Sequence, residues 1–261
     1  MNKNMNTMAQ LDVAAKLDEA ARSATAIEQI SLTTALSVPD AYRVQRLSVN
    51  LRVARGEKPS GMKLGLTSRA KMAQVGISTA VCGLLTDAMA VEEGHELPFA
   101  RYIHPRAEPE IAFLLGKSLR GLGTIPEVAR AVEAVLPAIE IIDSRYRNFK
   151  FSLADVIADN SSSSAYILGQ PIPTRRAIDN VGMVLLIDGK PAEIGSSAAV
   201  LGSPWRALVA AAHFADEYDV DLGPGDIILS GGATAAVGLA AGQTVCLEVN
   251  GFAPIQFKVT A

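Results

Sequence analysis

Three glutamates carry the strongest chemical signal in the sequence. Glu108 and Glu110 lie two apart in IHPRAEPEIAFLL, the strand-like stretch from Ile103 to Leu115, and residues at that spacing share one face of a strand. Glu140 sits in Ala138–Ile142, AIEII, where a buried, ionised carboxylate is costly unless a cation or hydrogen-bond donor meets it. Carboxylates without a nearby Cys or His are hard oxygen donors, which suit Mg²⁺ or Mn²⁺ and not Zn²⁺. The same residues admit a plainer account, with Glu108 and Glu110 on a solvated strand face and Glu140 paired with an arginine such as Arg145. Spacing alone leaves both open.

Other residues qualify less sharply. Lys63, within Gly61–Thr67, GMKLGLT, either holds an ammonium in a cleft beside an anionic substrate or snorkels along the surface. Asp159, Asn160 and the serines Ser161 to Ser164 follow an expected helix at Ser152–Ala158, where capping, turn formation or ligand binding are all available to them. Gly231 to Thr234 either present backbone N–H groups to a carboxylate or form a tight turn. No GxGxxG, P-loop or GxSxG motif is present, and His95, His104 and His213 are scattered as surface or capping residues would be.

The elements that must position these groups follow from periodicity and punctuation. The Ala-rich segment Asn6 to Gln29 reads as one helix, and a second starts near Pro39, turns Val44, Leu47 and Leu51 inward, and ends at Gly56 and the Pro59, Ser60, Gly61 cluster. A strand at Met62–Leu66 is followed by a helix over Lys71–Val75, capped by Thr67 or Ser68 and closed by Gly76. Ala107–Leu115 is a strand. Thr124 and Glu127 have capping-box spacing for a helix reaching about Leu136, where Pro137 stops it before a strand at Ala138–Asp143. Asp188–Gly189 and Asn250–Gly251 mark two hairpins, Pro204–Tyr218 a helix, and Asp226–Ser230 a buried strand. A helical region, 1–60, thus precedes a domain, 61–261, whose irregular order of helices and strands predicts α+β with a mainly antiparallel sheet and not Rossmann topology.

Composition narrows the partners. The 261 residues are 49% apolar and 20% charged, an ordinary globular balance. The net charge of −3 comes from interspersed charges without a basic run, which argues against nucleic acid. No apolar run approaches the roughly 20 residues of a membrane span. Cys82 and Cys246 lie far apart and Met1–Gln10 lacks signal-peptide character, so a reducing, cytoplasmic location is expected.

Five separated motifs, GMKLGLTS from Gly61, HPRAEPEIAF from His104, LPAIEIIDSRY from Leu136, FKFSLADVIADNSSS from Phe149 and SGGATAA from Ser230, occur in the order of one family. From about residue 40 onward the chain resembles the meta-cleavage-pathway decarboxylases and hydratases of the fumarylacetoacetate hydrolase superfamily. The resemblance implies a fumarylacetoacetase C-terminal-like, twisted and rolled sheet with the cleft at one end. It also implies that Glu108, Glu110 and Glu140 hold one Mg²⁺ or Mn²⁺, with Lys63, Asp159 and Ser162 as catalytic or pocket-lining groups. DSRYRNFKF from Asp143 and GGATAA from Gly231 resemble the decarboxylase branch, which removes CO₂ from the small oxo-diacid 2-oxohex-3-enedioate to leave 2-hydroxypenta-2,4-dienoate. The sister hydratases typically carry an aspartate where this chain has Val81. Hydration of the dienol and a non-catalytic role supporting a partner hydratase are the alternatives, and the family implies a homo-oligomer. Pro109, between the two glutamates, departs from the family pattern and is expected at an edge or bulge.

Overall fold

The computed structural model describes residues 5–68, 72, 80–173 and 177–261. In α1 (Thr7–Arg22), Val13, Ala14, Leu17 and Ala20 recur at helical spacing and are buried. The helix stops well short of the expected Gln29. The Ser23 and Thr25 hydroxyls donate to the Glu19 and Ser23 carbonyls and give the backbone an alternative to helix. Ile27 then bridges to Tyr146. α2 (Val38–Ala54) has Pro39 in its first turn and buries Ala41, Val44, Gln45 and Val49, whereas Leu47 and Leu51 are only half-buried.

The strands are β1 (Pro59–Gly65), β2 (Val81–Thr86), β3 (Ala90–Val91), β4 (Glu96–Pro98), β5 (Arg106–Leu115), β6 (Val132–Ile142) and β7 (Ser163–Leu168). They continue as β8 (Ile172–Pro173), β9 (Gly182–Ile187), β10 (Lys190–Ser196), β11 (Ile227–Leu229), β12 (Val237–Gly238), β13 (Thr244–Val249) and β14 (Ile255–Thr260). The larger sheet runs β2-β1-β11-β5-β6-β7-β3, with β12 on β5 and β8 on β6, and the smaller runs β10-β9-β13-β14-β4. Most pairs are antiparallel as expected, but β1 with β11, β3 with β7 and β14 with β4 are parallel. Both C-terminal hairpins form. The helix Pro204–Glu217 and the buried β11 also lie where the sequence predicts them.

One apolar core joins Val13, Leu17, Ala41 and Val44 of the N-terminal helices to Met62 and Leu64 of β1, Phe113 of β5 and Ile139 of β6. β1 begins at Pro59, inside the cluster expected to be a loop, so the first strand starts ahead of residue 61. Among the described residues, no helix is long and apolar enough to cross a membrane. The helix expected at Lys71–Val75 lies, apart from Met72, outside the described residues.

Two prolines fall where the ladder is interrupted. The capping box at Thr124 and Glu127 starts a helix that spans only Ile125–Ala131; Val132 and Val135, expected in it, belong to the eleven-residue strand β6. Pro137 does not end a helix but sits mid-strand. Its carbonyl accepts from Gly169 N–H between β7 and β8, so its missing N–H faces the same gap. Pro109 likewise lies in the centre of the sheet and not at its edge, and its carbonyl accepts from Ala233 N–H in the break between β11 and β12. Neither strand loses a ladder bond to its proline.

The helix Leu153–Ala158, capped by Ser152, delivers the chain to Asn160, Ser161 and Ser162, three successive residues with φ near +50° to +58°. This strained turn is fastened to β2. Asn160 accepts from Leu84 N–H at 2.8 Å and donates to Leu84 O at 2.9 Å, Ser161 Oγ donates to Cys82 O at 2.7 Å, and the Gln45 amide from α2 bonds both Cys82 O and Ile157 O. Gly83 permits the approach, because a Cβ there would lie 2.6 Å from Asn160 O. Asn160→Ala removes two backbone partners of β2 and an asparagine tolerant of left-handed backbone, so a loss of about 1–3 kcal/mol is expected. Thermal unfolding of the variant should show a Tm several degrees lower; an unchanged Tm would refute the fastening role.

Candidate metal centre

β5 and β6 bring the glutamates together through their register. Glu108 lies directly opposite Glu140, and Glu110 opposite Ala138. The alternation along β5 puts Glu108 and Glu110 on one face, while Ile111 and Phe113 turn into the main core. Glu108, Glu110 and Glu140 each offer a carboxylate oxygen within 4.8 Å of the others. Glu110 and Glu140 are fully buried and Glu108 is half-buried.

The surroundings compensate this charge only in part. Lys63 from β1 is 2% exposed, not a surface lysine, and its Nζ lies 3.0 Å from Glu140 Oε2. That contact is an ion pair without hydrogen-bond alignment, since neither Glu140 oxygen has an aligned donor among the described residues. Burial opposes the Lys63 charge, but Glu140, Glu108 and Glu110 outweigh it and raise its pKa, so the side chain is an ammonium at neutral pH. Gly231 N–H donates to Glu110 Oε2 at 2.7 Å. The glycine turn therefore does present an N–H to a carboxylate, and the carboxylate is the protein's own. Glu110 Oε1 has no donor among the described residues. Gly232 must stay small, because a Cβ there would lie 2.9 Å from the Glu108 carboxyl carbon.

Buried oxygens of Glu110 and Glu140 without an aligned hydrogen-bond donor, converging with Glu108, fit a hard divalent cation: oxygen donors only, with no sulfur or imidazole in the set. These three side chains are the ones that would hold Mg²⁺ or Mn²⁺. Arg145 does not pair with Glu140. Its guanidinium bonds Asp159, with which it forms a buried ion pair, and also reaches Ser164 Oγ at 2.8 Å.

A cavity of about 350 Å³ opens beside the glutamates. Lys63, Glu108, Arg106 and Ser162 give it polar lining, and Val81 and Phe151 apolar lining. Asp159, expected in that lining, is turned away to Arg145, and its Oδ2 accepts from Ser162 Oγ at 3.4 Å. Arg106 escaped the sequence reading, although the alternation that aligned Glu108 with Glu110 includes it. Phe149 escaped it too, and its left-handed backbone, φ 54°, has no signal in the sequence.

A rolled mixed sheet with a cluster of acidic ligands on one face is the fold of the fumarylacetoacetate hydrolase group. The fumarylacetoacetate hydrolase C-terminal family model matches residues 70–260, and the chain belongs to that family. It is 51% identical to a 4-oxalocrotonate decarboxylase of a Pseudomonas species, over 95% of this chain and 97% of the relative. A solved structure of 4-oxalocrotonate decarboxylase from Pseudomonas putida G7, complexed with magnesium and adipate, superposes with a TM-score of 0.95 at 33% identity, covering 99% of this chain and 100% of that one. A 2-keto-4-pentenoate hydratase of Paraburkholderia xenovorans is 34% identical over 85% of this chain and 83% of its own.

Burial raises Glu110 well above the ordinary carboxylate range, with the charge of Glu140 adding to it; burial also raises Glu140, against the opposing pull of Lys63. A carboxyl whose folded pKa lies above its unfolded value binds more protons when folded, so stability falls as pH climbs from about 4.3 through the raised value. Glu110→Gln keeps an acceptor for Gly231 and removes that charge. In metal-free protein, Tm of the variant relative to the parent should therefore rise with pH, while added Mg²⁺ should raise the parent's Tm alone. A variant that still gains Tm from Mg²⁺ would remove Glu110 from the ligand set.

Proposed function

We propose that this chain is a carboxy-lyase dependent on Mg²⁺ or Mn²⁺ that converts 2-oxohex-3-enedioate to 2-hydroxypenta-2,4-dienoate and CO₂. The observation that carries the reading is the convergence of Glu108, Glu110 and Glu140 on one point beside a half-apolar cavity, in a chain 51% identical to a 4-oxalocrotonate decarboxylase. When bound, the cation supplies a Lewis acid toward the oxygens at C1 and C2, the electron sink that a decarboxylation of this vinylogous keto acid requires.

The chain's own residues supply the rest. Glu108, Glu110 and Glu140 hold the ion, and Gly231 orients Glu110 through its N–H. Lys63 keeps a proton beside Glu140, where it both offsets the carboxylates and can deliver a proton at the C2 oxygen. Ser162, on the strained turn, lines the cavity and orients substrate through its hydroxyl. Val81 and Phe151 exclude water.

The hydratase alternative needs a water or base placed at the alkene. Val81 lines the cavity with an alkyl group where the resemblance expects an aspartate in hydratases, which favours decarboxylation. Assembly as a homo-oligomer and association with a partner hydratase are part of the proposal on the family resemblance, and a cytoplasmic location is consistent with free Cys82 and Cys246.

Metal-loaded protein given 2-oxohex-3-enedioate should release CO₂, and given 2-hydroxypentadienoate should leave the diene intact; diene consumption without CO₂ release would make it a hydratase. Lys63→Met removes a positive charge from beside the ligands, so Mg²⁺ affinity measured by calorimetry should not weaken, while kcat/KM for the diacid should fall by about a hundredfold or more. Full kcat/KM in that variant would exclude Lys63 from the chemistry.

A further inference from the structure

Arg106 occupies the face of β5 that carries Glu108 and Glu110. In register, Lys63 aligns through Leu229 with Ala112, so Lys63 and Arg106 flank the glutamates from opposite ends. Arg106 lines the cavity, and among the described residues no carboxylate forms an ion pair with it. Its guanidinium carbon lies 3.9 Å from the Phe149 ring centroid, and the His104 ring lies 4.6 Å from the same ring. Phe149 is held with φ 54° next to Asn148 at φ 58°, a conformation costly for a bulky side chain. The strained ring gives the guanidinium a platform, and a guanidinium already stacked loses less rotamer entropy when it meets a ligand.

Residues two apart on a strand are about 7 Å apart along it. An extended six-carbon diacid separates its terminal carbons by about 6 Å, five C–C bonds of about 1.5 Å in zigzag. The span of such a diacid is thus close to the spacing between Glu108 and Arg106 along β5, both of which line the cavity.

We infer that Arg106, propped on Phe149, binds the substrate carboxylate remote from the glutamates and makes the site selective for dicarboxylates. This rests on the proposed decarboxylase reading for the identity of the substrate. The group that Arg106 holds is then the one at C6. When the C5–C6 bond breaks, its electron pair forms the C4–C5 double bond, the C3–C4 double bond moves to C2–C3, the C2 oxygen takes one proton, and the C6 carboxylate leaves as neutral CO₂. Its negative charge is dissipated along that path, so the ion pair with Arg106 is strongest in the ground state. Arg106 acts in binding, not in bond breaking, and its removal raises KM without lowering kcat.

The test uses Mg²⁺-loaded protein and two inert probes, hexanedioate and hexanoate, titrated by calorimetry. The parent should bind the diacid at least about tenfold tighter, Arg106→Met should bring the two together, and Arg106→Lys should restore part of the difference. In turnover, Arg106→Met should raise KM for the oxo-diacid about tenfold with kcat within about threefold. Equal hexanedioate affinity in the parent and the Met variant, with both folded by thermal melt, overturns the inference, as does a loss confined to kcat. Because the probes are not turned over, diacid selectivity lost in Arg106→Met would support the assignment even if 2-oxohex-3-enedioate proved not to be decarboxylated, so the two readings fail separately.

Discussion

Mutual repulsion of three carboxylates on one sheet face is the constraint on which the site depends. Two such charges no more than 4.8 Å apart repel by about 3.5 kcal/mol at an effective dielectric near 20. Glu108 and Glu140 are direct cross-strand partners, a placement that disfavours like charges even at a surface. Among the described residues, Lys63 pairs with Glu140 and Gly231 donates to Glu110, yet both of these fully buried carboxylates keep oxygens without an aligned donor. Such a cluster would favour a divalent cation at that point over a lone proton. Proton and metal compete for the same oxygens, which ties metal affinity to pH.

That concentration is tolerable because the surrounding backbone is fixed independently of it. β5 and β6 stay paired through two prolines whose missing donors face breaks in the neighbouring strands. The turn at Asn160, Ser161 and Ser162 adds strain of order 1–3 kcal/mol per left-handed residue, and the structure spends Asn160, Ser161 and the buried Arg145–Asp159 pair on holding it. The strain lies at the cavity wall, which Ser161 and Ser162 line. Asp159 belongs to this support and not to the lining, because Arg145 engages both of its carboxylate oxygens, Oδ1 through the guanidinium and Oδ2 through the backbone N–H.

The sequence made some of this legible and hid the rest for identifiable reasons. Spacing of two on a strand placed Glu108 and Glu110 on one face, and hard-donor chemistry named the kind of cation. The partnership of Glu108 with Glu140 depends on strand register across a connection containing a helix, which no local pattern encodes. The reading of Pro137 as a helix stop lengthened a helix that ends at Ala131, because a proline mid-strand is allowed only by a gap in a distant strand. For Lys63 the sequence left a cleft and a snorkelling surface position both open, and its pairing with Glu140, which decides for burial, is purely tertiary. Asp159 was misplaced for a similar reason, since a polar run after a helix does not say which members face inward.

The division between decarboxylase and hydratase within one scaffold then reduces to what the cavity offers next to the same three glutamates. Addition of water to an alkene needs a polar group that delivers a proton or hydroxide at carbon, and such a group must itself be solvated or hydrogen-bonded. Loss of CO₂ needs the opposite, because a carboxylate is stabilised by water and its neutral product is not. Val81, buried at the end of β1's partner strand and lining the cavity, removes a possible anchor for that water while leaving the carboxylate cluster untouched. An alkyl side chain at this position would favour decarboxylation by desolvation, with the three glutamates and Lys63 unchanged.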